Sequence, residues 1–151
     1  MSLKEYKEKR KFSKTPEPKS QKKNKSKSNS IYAIQKHDAS HLHYDLRLEF
    51  NGVLKSWAIP KQPPKIRHVK RLAIQTEDHP LRYAKFQGEI PKGNYGAGKV
   101  EIWDKGTFDV VEKNKKTIVV DIHGEKLNGE YCLVKTEYGS KPEKSWLFFK
   151  R

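Results

Sequence analysis

Residues 36–51 read KHDASHLHYDLRLEFN, and the order of side chains within them decides the fold. From position 41 the even places hold Leu42, Tyr44, Leu46, Leu48 and Phe50, and the odd places hold His41, His43, Asp45, Arg47, Glu49 and Asn51. An unbroken period of two belongs to a β-strand, which sends alternate side chains to opposite faces; a helix would scatter both sets. The stretch therefore predicts a strand with one core face and one face lined by ionisable groups.

Asn51 and Gly52 come next and suit a two-residue type I′ turn, so LRLEF-NG-VLKSWAI reads as a hairpin. That turn sets the register. Phe50 then faces Val53, Leu46 faces Trp57 and Tyr44 faces Ile59 on the apolar side, while Arg47 faces Ser56 and Asp45 faces Ala58 on the other. Small residues opposite Asp45 and Arg47 predict an open trough. Lys55 falls on the apolar face, where it fits if its stem lies along the core rim with the ammonium in water.

Beyond the hairpin, IYAIQK, RLAIQT, KVEIWD, TFDVVEK, KTIVVDIHG, GEYCLVKTE and SWLFFKR read as further short strands between turn signals. Few windows after residue 30 carry a helical period. Such a pattern predicts an all-β fold, an antiparallel sandwich or small barrel with one or two short helices in its loops.

The 151 residues include 33 Lys plus Arg against 18 Asp plus Glu, a net charge of +15, and residues 1–30 alone hold 11 basic and 3 acidic side chains. KSQKKNKSKSNS, within that tail, has too little apolar surface to offset chain entropy. The expected organisation is a disordered basic arm over residues 1–30 and one domain over 31–151. A basic arm captures polyanions, nucleic acid above all, by releasing condensed counterions; a solubilising or nuclear-localisation-like lysine cluster is the plainer alternative. No stretch has the roughly 18 apolar residues of a membrane span, and the N-terminus lacks the apolar core of a signal peptide, so the expected location is the cytoplasm. Cys132, in YCLV, has no internal disulfide partner and reads as a buried strand residue.

On the polar strand face, His43 and Asp45 stand at i and i+2, a spacing that lets their tips converge on one ion. His37 precedes them across the short polar break Asp38, Ala39 and Ser40, which can turn it toward the same point. Two imidazoles and a carboxylate with open positions suit manganese, zinc, iron or cobalt, and a catalytic metal more than a structural one. The competing reading is a solvated strand face with incidental histidines. Arg47 argues against it, because a guanidinium two residues past the carboxylate is a poor ligand but a good bidentate partner for a metal-held phosphate.

Two further segments bear on this site. In EDHPLRYAKF, Pro80 holds His79 extended, and His79 with Tyr83 offers a proton-transfer or phosphate-binding pair that gains meaning only if it meets the first cluster in space. FQGEIPKGNYGAGKVEIWD places Gly93, Gly98 and Lys99 at the spacing of a nucleotide-binding P-loop. Val100 stands where that motif needs Ser or Thr, and a strand pattern follows where it needs a helix. Glycines that shape a barrel rim near the site account for the segment better.

QKHDASHLHYDLRLEFNGVLKSWAIPK, EDHPLRYAKFQGEIPKGNYGAGKVEIWDKG, the final WLFFKR and the tail motif KRKFSKTPEP together resemble, in order and spacing, the 3′-phosphoesterase domain of the bacterial multifunctional DNA ligase D and its stand-alone archaeal and bacterial relatives. That resemblance implies a compact β-barrel and a manganese-dependent enzyme, with Co²⁺ or Zn²⁺ as substitutes, that removes a 3′-terminal ribonucleoside and then the 3′-phosphate during end joining. It implies His37, His43 and Asp45 as metal ligands, Arg47, His79 and Tyr83 as phosphate contacts or activators, and Gln35, Lys61, Arg71 and Glu77 as supporting positions. DNA or DNA/RNA primer-template 3′ ends are the implied substrates, with a ligase, a primase-type polymerase and Ku acting in trans. The rival from another class is a non-catalytic module that holds nucleic-acid ends for a ligase or polymerase. Lys11 and Gln87 depart from acidic family positions, and the first bears on the ribonuclease step more than on the phosphatase step.

Overall fold

The computed structural model describes residues 30–137 and 141–151, so the basic arm expected over residues 1–30 lies outside the described residues except for Ser30, which already belongs to a strand. The described residues form nine strands: β1 Ser30–Asp38, β2 Leu42–Phe50, β3 Val53–Ile59, β4 Lys70–His79, β5 Gly88–Ile90, β6 Gly98–Lys113, β7 Thr117–Gly124, β8 Asn128–Lys135 and β9 Ser145–Lys150. All pair antiparallel in the order β1-β2-β3-β4-β9-β8-β7-β6, and β1 pairs back onto β6, which closes eight strands into a barrel. The short β5 adds to β6 at Gly88–Ile90 outside the ring. Two 3-10 helices, Leu81–Lys85 and Pro142–Lys144, supply the short helical loops. No helix of the described residues is long and apolar enough to cross a membrane.

The β2–β3 hairpin has the register that its turn dictates. Asn51 and Gly52 both take positive φ, 53° and 81°, as a type I′ turn requires, and Tyr44↔Ile59, Asp45↔Ala58, Leu46↔Trp57, Arg47↔Ser56 and Phe50↔Val53 are the observed pairs. Leu46, Leu48, Trp57 and Ile59 pack with Tyr32, Ile34, Ile122 and Phe148 to fill the barrel interior. Lys55 stays partly exposed at the rim, and its ammonium also pairs with Asp78 Oδ2, 3.0 Å away.

The polar face lies on the outside of the barrel, and it is not an open trough. A second apolar cluster covers it: Leu81, Tyr83, Ala84, Phe86 and Ile90 pack on Ala33, Leu54 and Val100. Each large side chain buried there contributes about 1.5–3 kcal/mol, enough to hold the segment after β4 as a roof. Arg47 and Asp45 are in consequence only 3% and 6% exposed.

KVEIWD and TFDVVEK are one strand, not two. Lys105-Gly106 reads as punctuation, yet Gly106 pairs with Gly124 within the β6–β7 ladder. A Cβ on Gly106 would lie 1.9 Å from the His123 carbonyl oxygen; glycine is there for close backbone approach, and the chain does not turn. Cys132 is buried in β8.

Candidate active site

His37 reaches His43 by a route the sequence leaves open. The break at Ala39–His41 is a tight turn between β1 and β2, and His37 sits directly opposite His43 in the ladder, as Gln35 does opposite Asp45. Strand spacing therefore fixes all three candidate ligands: one pair across the ladder, one pair at i and i+2 along β2.

The donor atoms face one another. His37 Nδ1 lies 3.5 Å from Asp45 Oδ2, and His43 Nε2 lies 3.2 Å from Asp45 Oδ1. Two ligand atoms about 2.1 Å from a shared ion are about 3.0–3.4 Å apart at octahedral or tetrahedral angles, so the spacing fits a single divalent cation. The remaining ring nitrogens meet carbonyl oxygens, which only accept: His37 Nε2 donates to Gly96 O at 2.7 Å and His43 Nδ1 to His41 O at 3.1 Å. Those bonds occupy one nitrogen of each ring and turn the other, His37 Nδ1 and His43 Nε2, toward the carboxylate, where a bound cation would take the place of a proton. Burial would raise the Asp45 carboxyl, but Arg47 with His37 and His43 outweighs it and holds the group well below the usual carboxylate range. Burial would lower the His43 imidazole, yet the Asp45 carboxylate and the His41 carbonyl raise it. Both directions describe a point that attracts positive charge.

EDHPLRYAKF does meet this cluster. His79 ends β4, and its Nδ1 lies 3.3 Å from Arg47 Nη1 and donates to Glu77 O at 2.9 Å. Tyr83, on the 3-10 helix, lays its ring 5.0 Å from the Arg47 guanidinium carbon and 4.7 Å from the His79 ring. Arg47 also donates through Nε to Gln35 Oε1 at 3.0 Å and approaches Asp45 Oδ2 at 3.6 Å through Nη2. Gln35, fully buried, passes its own amide protons to Tyr83 O and Phe86 O at 2.7 and 3.1 Å. One side chain thus ties the guanidinium to the roof.

These groups surround a cavity of about 330 Å³, lined by His37, His43, Asp45, Arg47, Glu77, His79 and Tyr83. Lys61 and Arg71 are not among its walls; they line a separate pocket with Lys70, and Arg71 Nε donates to Gln62 O at 2.9 Å. Ala58 is part of the cavity floor, as the register requires, with Thr76 beside it.

Sequence reasoning missed Tyr95, in the loop before β6. Tyr95 and Gly96 line the cavity, and Gly96, at φ 76°, would bring a Cβ to 3.4 Å from His37 Cε1. Its glycine-rich spacing was the available signal, and the rim-shaping role read from it agrees with its position. The P-loop alternative does not survive: Lys99 lies within β6 and pairs its ammonium with Glu101 at 2.8 Å on the surface. Gln87 Oε1 accepts from the Ile102 amide at 2.9 Å, a task that needs an acceptor oxygen and no negative charge. Lys11 lies outside the described residues.

A sequence profile of the DNA ligase D 3′-phosphoesterase domain matches residues 35–135. The multifunctional non-homologous end joining protein LigD of Pseudomonas aeruginosa is 47% identical over 156 residues, covering 98% of this chain and 18% of that protein. The multifunctional non-homologous end joining DNA repair protein LigD of Mycobacterium tuberculosis is 47% identical over 138 residues, 89% of this chain and 18% of its own length. The Mycolicibacterium smegmatis protein LigD is 44% identical over 153 residues, 94% of this chain and 19% of that protein. The chain therefore spans less than a fifth of these relatives.

Proposed function

The chain belongs to the DNA ligase D 3′-phosphoesterase domain family, and we propose that it is a divalent-metal phosphoesterase that converts blocked DNA 3′ ends to 3′-hydroxyls for end joining. The observation that carries this reading is the convergence of His37 Nδ1, His43 Nε2 and the Asp45 carboxylate beside Arg47 in one cavity. His37, His43 and Asp45 would hold the ion, which as a Lewis acid supplies charge stabilisation at a phosphate oxygen; manganese is the proposed metal, with cobalt or zinc able to take its place.

Charge is compatible with a phosphate substrate. Asp45, Glu77 and Arg47 together leave one negative charge in the lining, so a divalent cation would make the cavity net positive and suited to a phosphate anion. Arg47, held in place by Gln35 and Tyr83, would present its remaining N–H groups to phosphate oxygens. His79 donates its Nδ1 proton to Glu77 O, so Nε2, when the ring is protonated, would give a proton to the leaving oxygen or orient it. Tyr83 orients the guanidinium and the His79 ring. Glu77 and Gln35 support these groups; Lys61 and Arg71, outside the cavity, would contact the nucleic acid strand rather than the reacting phosphate. The proposed substrates are DNA or DNA/RNA primer-template 3′ ends, a terminal ribonucleoside being removed before the phosphate. A ligase, a polymerase and Ku would act on the product. In this organisation residues 1–30 form a basic arm and residues 31–151 the catalytic barrel.

The test is a labelled primer-template ending in one 3′-ribonucleotide or a 3′-phosphate, incubated with Mn²⁺ and resolved by gel. Wild type should yield the 3′-hydroxyl, and His43→Ala and Asp45→Ala should lose about 10³-fold or more of the rate. DNA binding in chelator with no Mn²⁺-dependent product would favour the end-holding module instead.

A further inference from the structure

We propose that Tyr95 forms a stacking subsite for the nucleoside that carries the reacting phosphate, an inference that rests on the phosphoesterase reading and extends it from the phosphate to the base. Tyr95 lines the cavity and is 48% exposed. Tyr83, the other tyrosine of the lining, is 2% exposed and has its ring against Arg47, His79 and Phe86. The cavity is thus graded: its floor holds the carboxylate, guanidinium and imidazoles that suit a phosphate, and its rim presents an accessible aromatic ring.

The loop keeps that ring in register with the floor. Asn94 N donates to Pro91 O at 3.3 Å and Ala97 N to Asn94 O at 3.2 Å, closing two successive turns, and Gly93 and Gly96 take φ of 88° and 76° on either side of Tyr95. The carbonyl of the next residue, Gly96, receives His37 Nε2 at 2.7 Å. One bond therefore links the position of Tyr95 to a candidate metal ligand, and a phosphate held at the cavity floor would direct its nucleoside toward the rim that Tyr95 lines. The β1–β2 turn contributes only Ala39 and Ser40 to the lining, small side chains that leave room for a base. Stacking suits an enzyme that accepts any terminal base, since every base has a π-face.

The experiment uses the full chain with primer-templates that end in a 3′-phosphate and carry 2-aminopurine as the terminal or an internal nucleoside. Wild type should quench the terminal probe and not the internal one, and Tyr95→Ala should abolish that quenching. In Mn²⁺ the same substitution should raise KM about tenfold, with the loss falling on KM rather than kcat. Tyr95→Trp and Tyr95→Phe should retain both properties. Tyr95→Leu, which fills space without a π-face, separates stacking from loop packing and should behave like Ala. Quenching retained in the Leu variant, or lost in the Phe variant, would overturn the proposal, as would unchanged KM in Tyr95→Ala beside an active wild type. A wild type that quenches the terminal probe but hydrolyses nothing would sink the phosphoesterase reading and leave the stacking site standing.

Discussion

The guanidinium of Arg47 has a neighbour at each nitrogen and on one face: Gln35 at Nε, His79 near Nη1, Asp45 near Nη2 and the Tyr83 ring. A lysine keeps the charge but cannot fill the fork, and it leaves Gln35 Oε1 buried without its donor. Arg47→Lys should therefore lower kcat/KM on a 3′-phosphate primer by about 10²–10³ and cost about 1–3 kcal/mol of stability. Near wild-type turnover with an unchanged melting point would show that the planar fork is dispensable. The alternation of residues 41–50 makes His43, Asp45 and Arg47 legible as a shared face. The partners that fix them are not, because Gln35 and the Gly96 carbonyl arrive through pairings with β2 and β6 and a roof loop whose placement no local pattern encodes.

Local pattern also explains which elements sequence reasoning finds. Strands that alternate over many residues, such as β2 and β7, announce themselves, whereas β5 has three residues, too few to show a period. The 3-10 helix Leu81–Lys85 has no side-chain N-cap hydrogen bond, so nothing in HPLRYAKF marks the roof that turns a polar trough into a cavity. Strand β6 is misread for a different reason: glycine is a good turn signal, and only the tertiary contact of Gly106 with the His123 carbonyl gives it another purpose. Two alanine substitutions separate these roles. Gly52→Ala meets nothing within 4 Å but sits at φ +81°, so it should cost about 1–2 kcal/mol through backbone strain alone. Gly106→Ala must push two backbones apart and should cost about 3 kcal/mol or more. Thermal melts followed by circular dichroism distinguish them; equal losses would mean that β6 yields at Gly106 as easily as a turn does.

Barrel closure joins the two ends of this scheme, since β1 carries His37 and pairs with β6, which follows the roof loop. The closed interior buries two tyrosines whose ionisation the fold opposes. Tyr131 donates to Pro64 O at 2.8 Å, and burial with the nearby Asp104 pushes its hydroxyl up to about 12; burial and a 2.7 Å bond to Asp104 raise Tyr32 as well. A folded pKa above the unfolded value of about 10 gives stability that is complete below pH ~10 and lost as pH climbs toward 12. Denaturation midpoints should therefore fall through that window, less steeply in Tyr131→Phe than in wild type; parallel curves would remove Tyr131 from the account. Charge, the other molecule-wide property, is unevenly placed. Residues 1–29 carry 11 basic and 3 acidic side chains, net +8 of the total +15. If the arm captures the DNA backbone, deleting residues 1–29 should weaken binding at low salt and flatten the plot of log affinity against log salt by about 0.7–0.9 per lost phosphate contact. Hydrolysis of a 3′-phosphate at saturating DNA should persist, because the barrel holds every group proposed to touch the phosphate. Identical salt slopes for the full and shortened chains would move the phosphate contacts onto the barrel itself.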